Sequence, residues 1–158
     1  MPQDNLSMPS LEIVVWSDVY VTGIELIDSQ HKELVKLTNN LYKACLDGEG
    51  QKIFKDVMHQ LIDYVKFHFS AELKLLEKSN YPGYFDHKKQ HEDLIKNILE
   101  AVQNYDDSKK FMPNAFVRTL KDWVFTHIAV SDKTYAVYIN DQKKKGLLND
   151  QQIREFMQ

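Results

Sequence analysis

Four long stretches of this chain repeat apolar residues at alternating steps of three and four, and almost nothing interrupts them. That is the period of an α-helix with one buried face. Ile24, Ile27, His31, Leu34, Thr38, Leu41 and Cys45 form the first stripe. Phe54, Val57, Leu61, Tyr64, His68, Glu72 and Leu75 form the second. The third runs through His87, His91, Leu94, Ile98 and Tyr105, with Ile95 and Val102 beside it. The fourth holds Phe116, Leu120, Trp123 or Val124, His127 and Tyr135. Glycine (5) and proline (4) are scarce, and several stand where a helix would stop or start. Gly48 suits a helix end, Asn80-Tyr81-Pro82-Gly83 a turn, and Pro113 a first helical turn. Helices are expected over about 23–47, 51–79, 84–105 and 113–140, the first opened by a capping box of Thr22 and Glu25.

Long amphipathic helices with short connections imply an all-α, antiparallel up-down-up-down four-helix bundle. The run LEIVVWSDVYVT at 11–22 is strand-like in composition but has no partner strand, so it is expected as an extended N-terminal arm anchored by Trp16. Residues 1–10 are polar, contain two prolines and are expected to be flexible. One domain then spans 11–140. Residues 141–158 form a short C-terminal extension, with a turn or two of helix after Asn149 and no evident function.

The formal net charge is −3, which gives no electrostatic footprint for nucleic acid or an anionic membrane. The basic run Lys143-Lys144-Lys145 reads as a solvated helix end. Cys45 is the lone cysteine, so no intrachain disulfide can form. No segment has the pattern of a secretion signal or the apolar length of a membrane span. A cytoplasmic protein is expected.

The chemistry lies in the polar members of the stripes. Of six histidines, five (His31, His68, His87, His91 and His127) fall on inward faces, whereas His59 should face solvent. Glu72 and Asp132 come close to the same faces. Buried carboxylates and imidazoles are costly unless paired or bound to metal. A lone histidine on an apolar face is usually an ordinary core residue. Here His68 and Glu72 stand four apart, one helical turn, and so do His87 and His91. Two such pairs, with matching groups on the other two helices, point to metal. Asp132 follows His127 by five, so either it leans across or the helix widens there by a π-type turn. Five imidazoles and two carboxylates exceed what one six-coordinate ion accepts, so two ions are expected. An imidazole-rich site suits iron, copper, nickel or zinc rather than magnesium or calcium.

The segments IDSQHKEL (27–34), HFSAE (68–72), YPGYFDHKKQH (81–91) and WVFTHIAVSD (123–132) resemble the hemerythrin family, and within it the single-domain bacteriohemerythrins. The resemblance covers roughly Trp16 to Tyr138. It implies two iron ions, one held by His87, His91 and His127 and the other by His31 and His68. Glu72, Asp132 and an oxo or hydroxo group would bridge them. One coordination place then stays open on the iron with two histidines, and dioxygen binds there reversibly. Leu34, Phe69, Trp123, Val124 and Ile128 would form the apolar oxygen pocket, although plain core packing also explains them. Val124 is smaller than the leucine common in the family.

The resemblance therefore implies an oxygen-binding protein for storage, delivery or scavenging rather than an enzyme, weak peroxidase or oxidase activity aside. Partners would be dioxygen and an unknown electron donor or oxygen-using enzyme. Two alternatives use the same site: a di-iron oxidoreductase acting on peroxide, oxygen or nitric oxide, and an oxygen or redox sensor module. Ferritin-like di-iron oxidases differ in using mostly glutamate ligands in Glu-x-x-His motifs, which the stripes lack. Asp28, Tyr64 and Tyr135 are candidates for supporting contacts, with ordinary bundle packing as the simpler reading.

Overall fold

A computed structural model describes residues 12–47, 51–107 and 113–158. The expectations for residues 1–11, for Gly48 and for the loop residues 108–110 lie outside these segments, as does the side chain of Tyr105. The described chain is all helical. Helix α1 spans Glu25–Asp47, α2 Gln51–Lys78, α3 Tyr84–Asp107, α4 Pro113–His127, α5 Lys133–Lys144 and α6 Asp150–Phe156. Helices α4 and α5 are two halves of one rod, joined by a π-helical turn at Ile128–Asp132. With α1, α2 and α3 this rod makes the four-helix bundle that the stripes predict. Among the described residues no helix is long and apolar enough to cross a membrane.

The stripes are buried nearly as read. In α1, Ile27, His31, Leu34, Thr38 and Leu41 are buried, while Cys45 at the end is half-exposed. In α2 the stripe is broader than expected, because Met58, Ile62, Val65, Phe69 and Leu76 are buried beside it. This helix packs against both α1 and α3 and so needs a wider apolar face. His59 is exposed, as its phase requires. Helix α3 runs two residues past the expected end, to Asp107.

The apolar interior falls into two clusters. One gathers Leu34, Leu41, Met58, Leu61, Val65, Phe69, Ile98, Leu120, Val124 and Ile128. The other gathers Ile24, Ile27, Leu75, Leu76, Tyr135, Ala136 and Ile139. On α1, His31 sits between Ile27 of the second cluster and Leu34 of the first. On α2, His68 and Glu72 sit between Val65 and Leu75. The buried polar groups therefore form a slab across the bundle, with an apolar core on either side.

Three local details differ from the sequence reading. The start of α1 is not a Thr22–Glu25 box. Asp28 reaches back instead, its Oδ1 accepting from the Thr22 N–H (2.8 Å) and hydroxyl (2.7 Å), its Oδ2 from the Gly23 N–H (3.1 Å). Gly23, at φ +77°, folds Thr22 over the helix start and puts these donors opposite the Asp28 carboxylate at the end of the first turn. The arm has a short 3₁₀ turn at Asp18–Tyr20, and its buried anchor is Val14 (3% exposed) rather than the half-exposed Trp16. Trp16 packs on Tyr20 at the surface, under the Lys32 ammonium. The tail, finally, belongs to the core. Leu148, Ile153 and Met157 are buried in the second cluster, and Asn149 with Gln152 makes a full capping box for α6. The expected domain edge at 140 falls inside α5.

Asn39 on α1 holds the arm. Its Oδ1 accepts from Ile13 N (2.9 Å) and Val14 N (3.0 Å), and its Nδ2 donates to Val14 O (2.8 Å). At about 1 kcal/mol for each bond, Asn39→Ala should cost about 2–3 kcal/mol. Urea unfolding of the two proteins reads this, and an unchanged midpoint would show that the arm contributes nothing.

Candidate metal centre

All four rods of the bundle send side chains into the polar slab. His31 comes from α1, His68 and Glu72 from α2, His87 and His91 from α3, His127 from the end of α4 and Asp132 from the π turn. All are buried, and His31, His68, Glu72 and Asp132 are fully so. On a regular helix, residues five apart sit about 140° apart around the axis. The π turn widens the coil so that five residues close one loop, and His127 and Asp132 face the same point. The sequence left two ways for Asp132 to reach the site, and the widened turn is the one used.

The seven groups form two sets that share both carboxylates. One comprises Glu72, His87, His91, His127 and Asp132, the other His31, His68, Glu72 and Asp132, each with its ligand atoms within 4.8 Å of one another. Each carboxylate divides its oxygens between the sets. Glu72 Oε1 lies 2.5 Å from His87 Nε2 and 3.1 Å from His91 Nε2, while Oε2 lies 3.2 Å from His68 Nε2. Asp132 Oδ1 lies 3.0 Å from His127 Nε2, and Oδ2 lies 3.1 Å from His31 Nε2.

Two observations indicate that these groups suit cations. Neither oxygen of Asp132 receives a well-aligned hydrogen bond, although the residue is wholly buried. A buried carboxylate without donors is costly, and a cation is what would offset it. The imidazoles also meet nitrogen to nitrogen, His31 with His68 at 3.1 Å and His91 with His127 at 3.0 Å. No more than one proton fits in each gap, so lone pairs converge on the shared interior.

The titration tendencies agree. Burial opposes ionisation of Glu72, yet the surrounding imidazoles of His68, His87 and His91 hold it well below the usual carboxylate range. Burial and the charge on Glu72 push Asp132 up, but His127, His31 and His87 more than offset this and bring it down. Burial lowers His87, and Asp132 with Glu72 raises it to about 9. Burial pushes His91 down. Without metal, then, two ionised carboxylates are balanced partly by a protonated His87.

Comparison with known proteins agrees with this geometry. A family model described as the hemerythrin HHE cation binding domain matches residues 22–139. The chain belongs to the hemerythrin family. A bacteriohemerythrin of Pseudomonas aeruginosa is 33% identical over 151 residues, covering 90% of this chain and 97% of its own. One from Stenotrophomonas maltophilia is 31% identical over 138 residues, covering 87% and 86%. The crystal structure of a wild-type hemerythrin superposes with a TM-score of 0.72 at 25% identity, covering 78% of this chain and 95% of that one.

The apolar residues that the hemerythrin resemblance singles out separate by depth. Leu34, Phe69, Val124 and Ile128 are buried in the first apolar cluster, directly against the slab. Phe69 stacks flat on the His91 ring, centroids 3.7 Å apart. Trp123 is half-buried and lines an outer groove between α3 and α4, where the edge of His127 also lies. Of the three candidate supporting residues, Asp28 caps α1 and Tyr64 is half-exposed beside Phe67. Tyr135 is fully buried and donates its hydroxyl to Glu72 Oε2 at 2.8 Å.

Sequence reading missed Gln30. It is buried, and its Oε1 lies 2.7 Å from His68 Nδ1. Its position three residues after Ile27 and four before Leu34, on the buried stripe, was the available signal.

A cation entering the slab must displace the proton on His87. The folded value of about 9 stands above the ordinary 6.5. The linked stability of the metal-free protein is therefore complete below about pH 6.5 and fades as pH rises through 9. Loading a divalent metal between pH 7 and 8 should release protons. An indicator dye in weak buffer reads this, and uptake without release would contradict the ionisation described here.

Proposed function

We propose that this chain holds two iron ions in the polar slab and binds dioxygen there reversibly. The observation carrying this reading is the division of both carboxylates between a three-histidine and a two-histidine set. His87, His91 and His127 would hold one ion and His31 and His68 the other. Glu72 and Asp132 would each give one oxygen to either ion, with an oxo or hydroxo group as third bridge. Two six-coordinate ions so held keep one open place, on the two-histidine side. When bound, the iron pair supplies two electrons to dioxygen and takes them back on release.

The chain's own residues do the rest. Leu34, Phe69, Val124 and Ile128 exclude water from one side of the slab, and Ile27, Leu75 and Ile139 do so from the other. Trp123 screens the α3–α4 groove. Tyr135 steadies Glu72. In the metal-free protein, burial, with the charges of Glu72 and Asp132, holds its phenol well above its ordinary pKa. A dry apolar surround favours release of oxygen over its reduction, and hence binding over peroxide or oxidase chemistry. We place the protein in a reducing cytoplasm, where it would store, deliver or scavenge oxygen, served by an electron donor that keeps the iron reduced.

The reduced, colourless protein should gain a visible charge-transfer band in air and lose it when oxygen is stripped away. A band that forms and never reverses would overturn reversible binding. His87→Ala should lower bound iron sharply, measured by metal analysis against the wild-type protein. Unchanged iron would break the ligand assignment.

A further inference from the structure

The two histidines of the smaller set are held differently. His31 Nδ1 is buried and has no hydrogen-bond partner. His68 Nδ1 lies 2.7 Å from Gln30 Oε1, and Gln30 is only 7% exposed. Gln30 stands on α1 and His68 on α2, so this contact crosses between helices.

A carboxamide oxygen can only accept a hydrogen bond. His68 therefore carries its proton on Nδ1, and Nε2 keeps a lone pair. That lone pair points into the slab, where Nε2 is 3.2 Å from Glu72 Oε2 and 3.1 Å from His31 Nε2. A reversed amide, offering its NH₂ group, would need the lone pair on Nδ1. The proton would then sit on Nε2 and occupy the place a metal takes. The arrangement with oxygen toward His68 is the one compatible with a ligating imidazole. An acceptor on the far nitrogen of a ligating imidazole also makes the near nitrogen a stronger donor.

We propose that Gln30 is a positioning residue that fixes the tautomer of His68 and sets its donor strength. It thereby tunes the two-histidine half of the centre, where the open place lies. The inference rests on the two-ion reading above. His31, which lacks an equivalent partner, is the weaker donor of the pair. The tuning of this half thus depends on one amide.

The test uses the full-length, iron-loaded protein with Gln30→Glu and Gln30→Leu. A purely structural role predicts that leucine is tolerated better than glutamate, since an unpaired buried carboxylate is more costly than an apolar side chain. The positioning role predicts the reverse. Gln30→Glu keeps an acceptor on Nδ1 and should retain iron. By strengthening the donor, it should move the midpoint potential of the iron pair downward. Gln30→Leu should lose iron to a chelator roughly tenfold faster or more and move the potential upward. If Gln30→Leu does not fold, Gln30→Met, of similar length but lacking the acceptor oxygen, carries the same expectation.

Equal potentials in all the proteins would overturn the role of Gln30, as would leucine retaining iron while glutamate loses it. If wild-type protein bound no iron pair, the functional reading itself would fall, and this inference with it. Iron bound normally, with potentials that do not move, would sink only the inference.

Discussion

Two ionised carboxylates sit at the centre of a helical bundle with no access to water. Everything else in the molecule answers to that fact. An isolated buried carboxylate is one of the costliest things a fold can contain, and here there are two, close enough to repel. Five imidazoles surround them, and the chain commits all four rods of its bundle to bringing those imidazoles in. The slab has one layer of cationic or ligating groups, and apolar cores on both sides deny it water. Those cores also make the carboxylates strong attractors, because charge is poorly screened in a medium of low dielectric.

The sets are unequal, and the inequality is built into the topology. Helix α3 supplies two histidines one turn apart, and the α4 end adds a third. Helix α1 supplies one and α2 one, with its next turn spent on Glu72. The supporting contacts gather on α2: Gln30 grips His68, and Tyr135 grips Glu72. Helix α2, with a histidine and a shared carboxylate one turn apart, is thus the one whose polar groups are held from neighbouring helices.

Much of this was legible in the sequence. Helix positions, bundle class and the convergence of His31, His68, Glu72, His87, His91, His127 and Asp132 follow from periodicity, because a helix converts spacing into direction. The step of five between His127 and Asp132 already marked an irregularity, a leaning aspartate or a widened turn, and the structure shows the widened turn. What escaped depends on contacts between elements. Gln30 gains its meaning from His68, 38 positions away. Asp28 rather than Glu25 caps α1 because Gly23 turns with positive φ, a torsion the residue permits but does not demand. Trp16 was the larger apolar side chain of the arm, yet Val14 is the one buried, since Asn39 fixes the arm by its backbone. The tail offered too short a pattern to read, although Leu148, Ile153 and Met157 close one end of the core.

The π turn reaches beyond the aspartate it delivers. Before it, the rod buries Phe116, Val117, Leu120, Val124 and His127; beyond it, Asp132, Tyr135, Ala136 and Ile139. Carried on at the regular period, the first series would arrive at Ser131, Thr134 and Tyr138, one place too early. The added residue shifts the whole downstream register, so the phenol that meets Glu72 and the aliphatic groups that receive α6 share their phase with the ligand. Were the four residues between His127 and Asp132 wound as ordinary helix with none removed, the half of the rod beyond them would rotate by about 100° and turn Asp132, Tyr135 and Ile139 off the inward face.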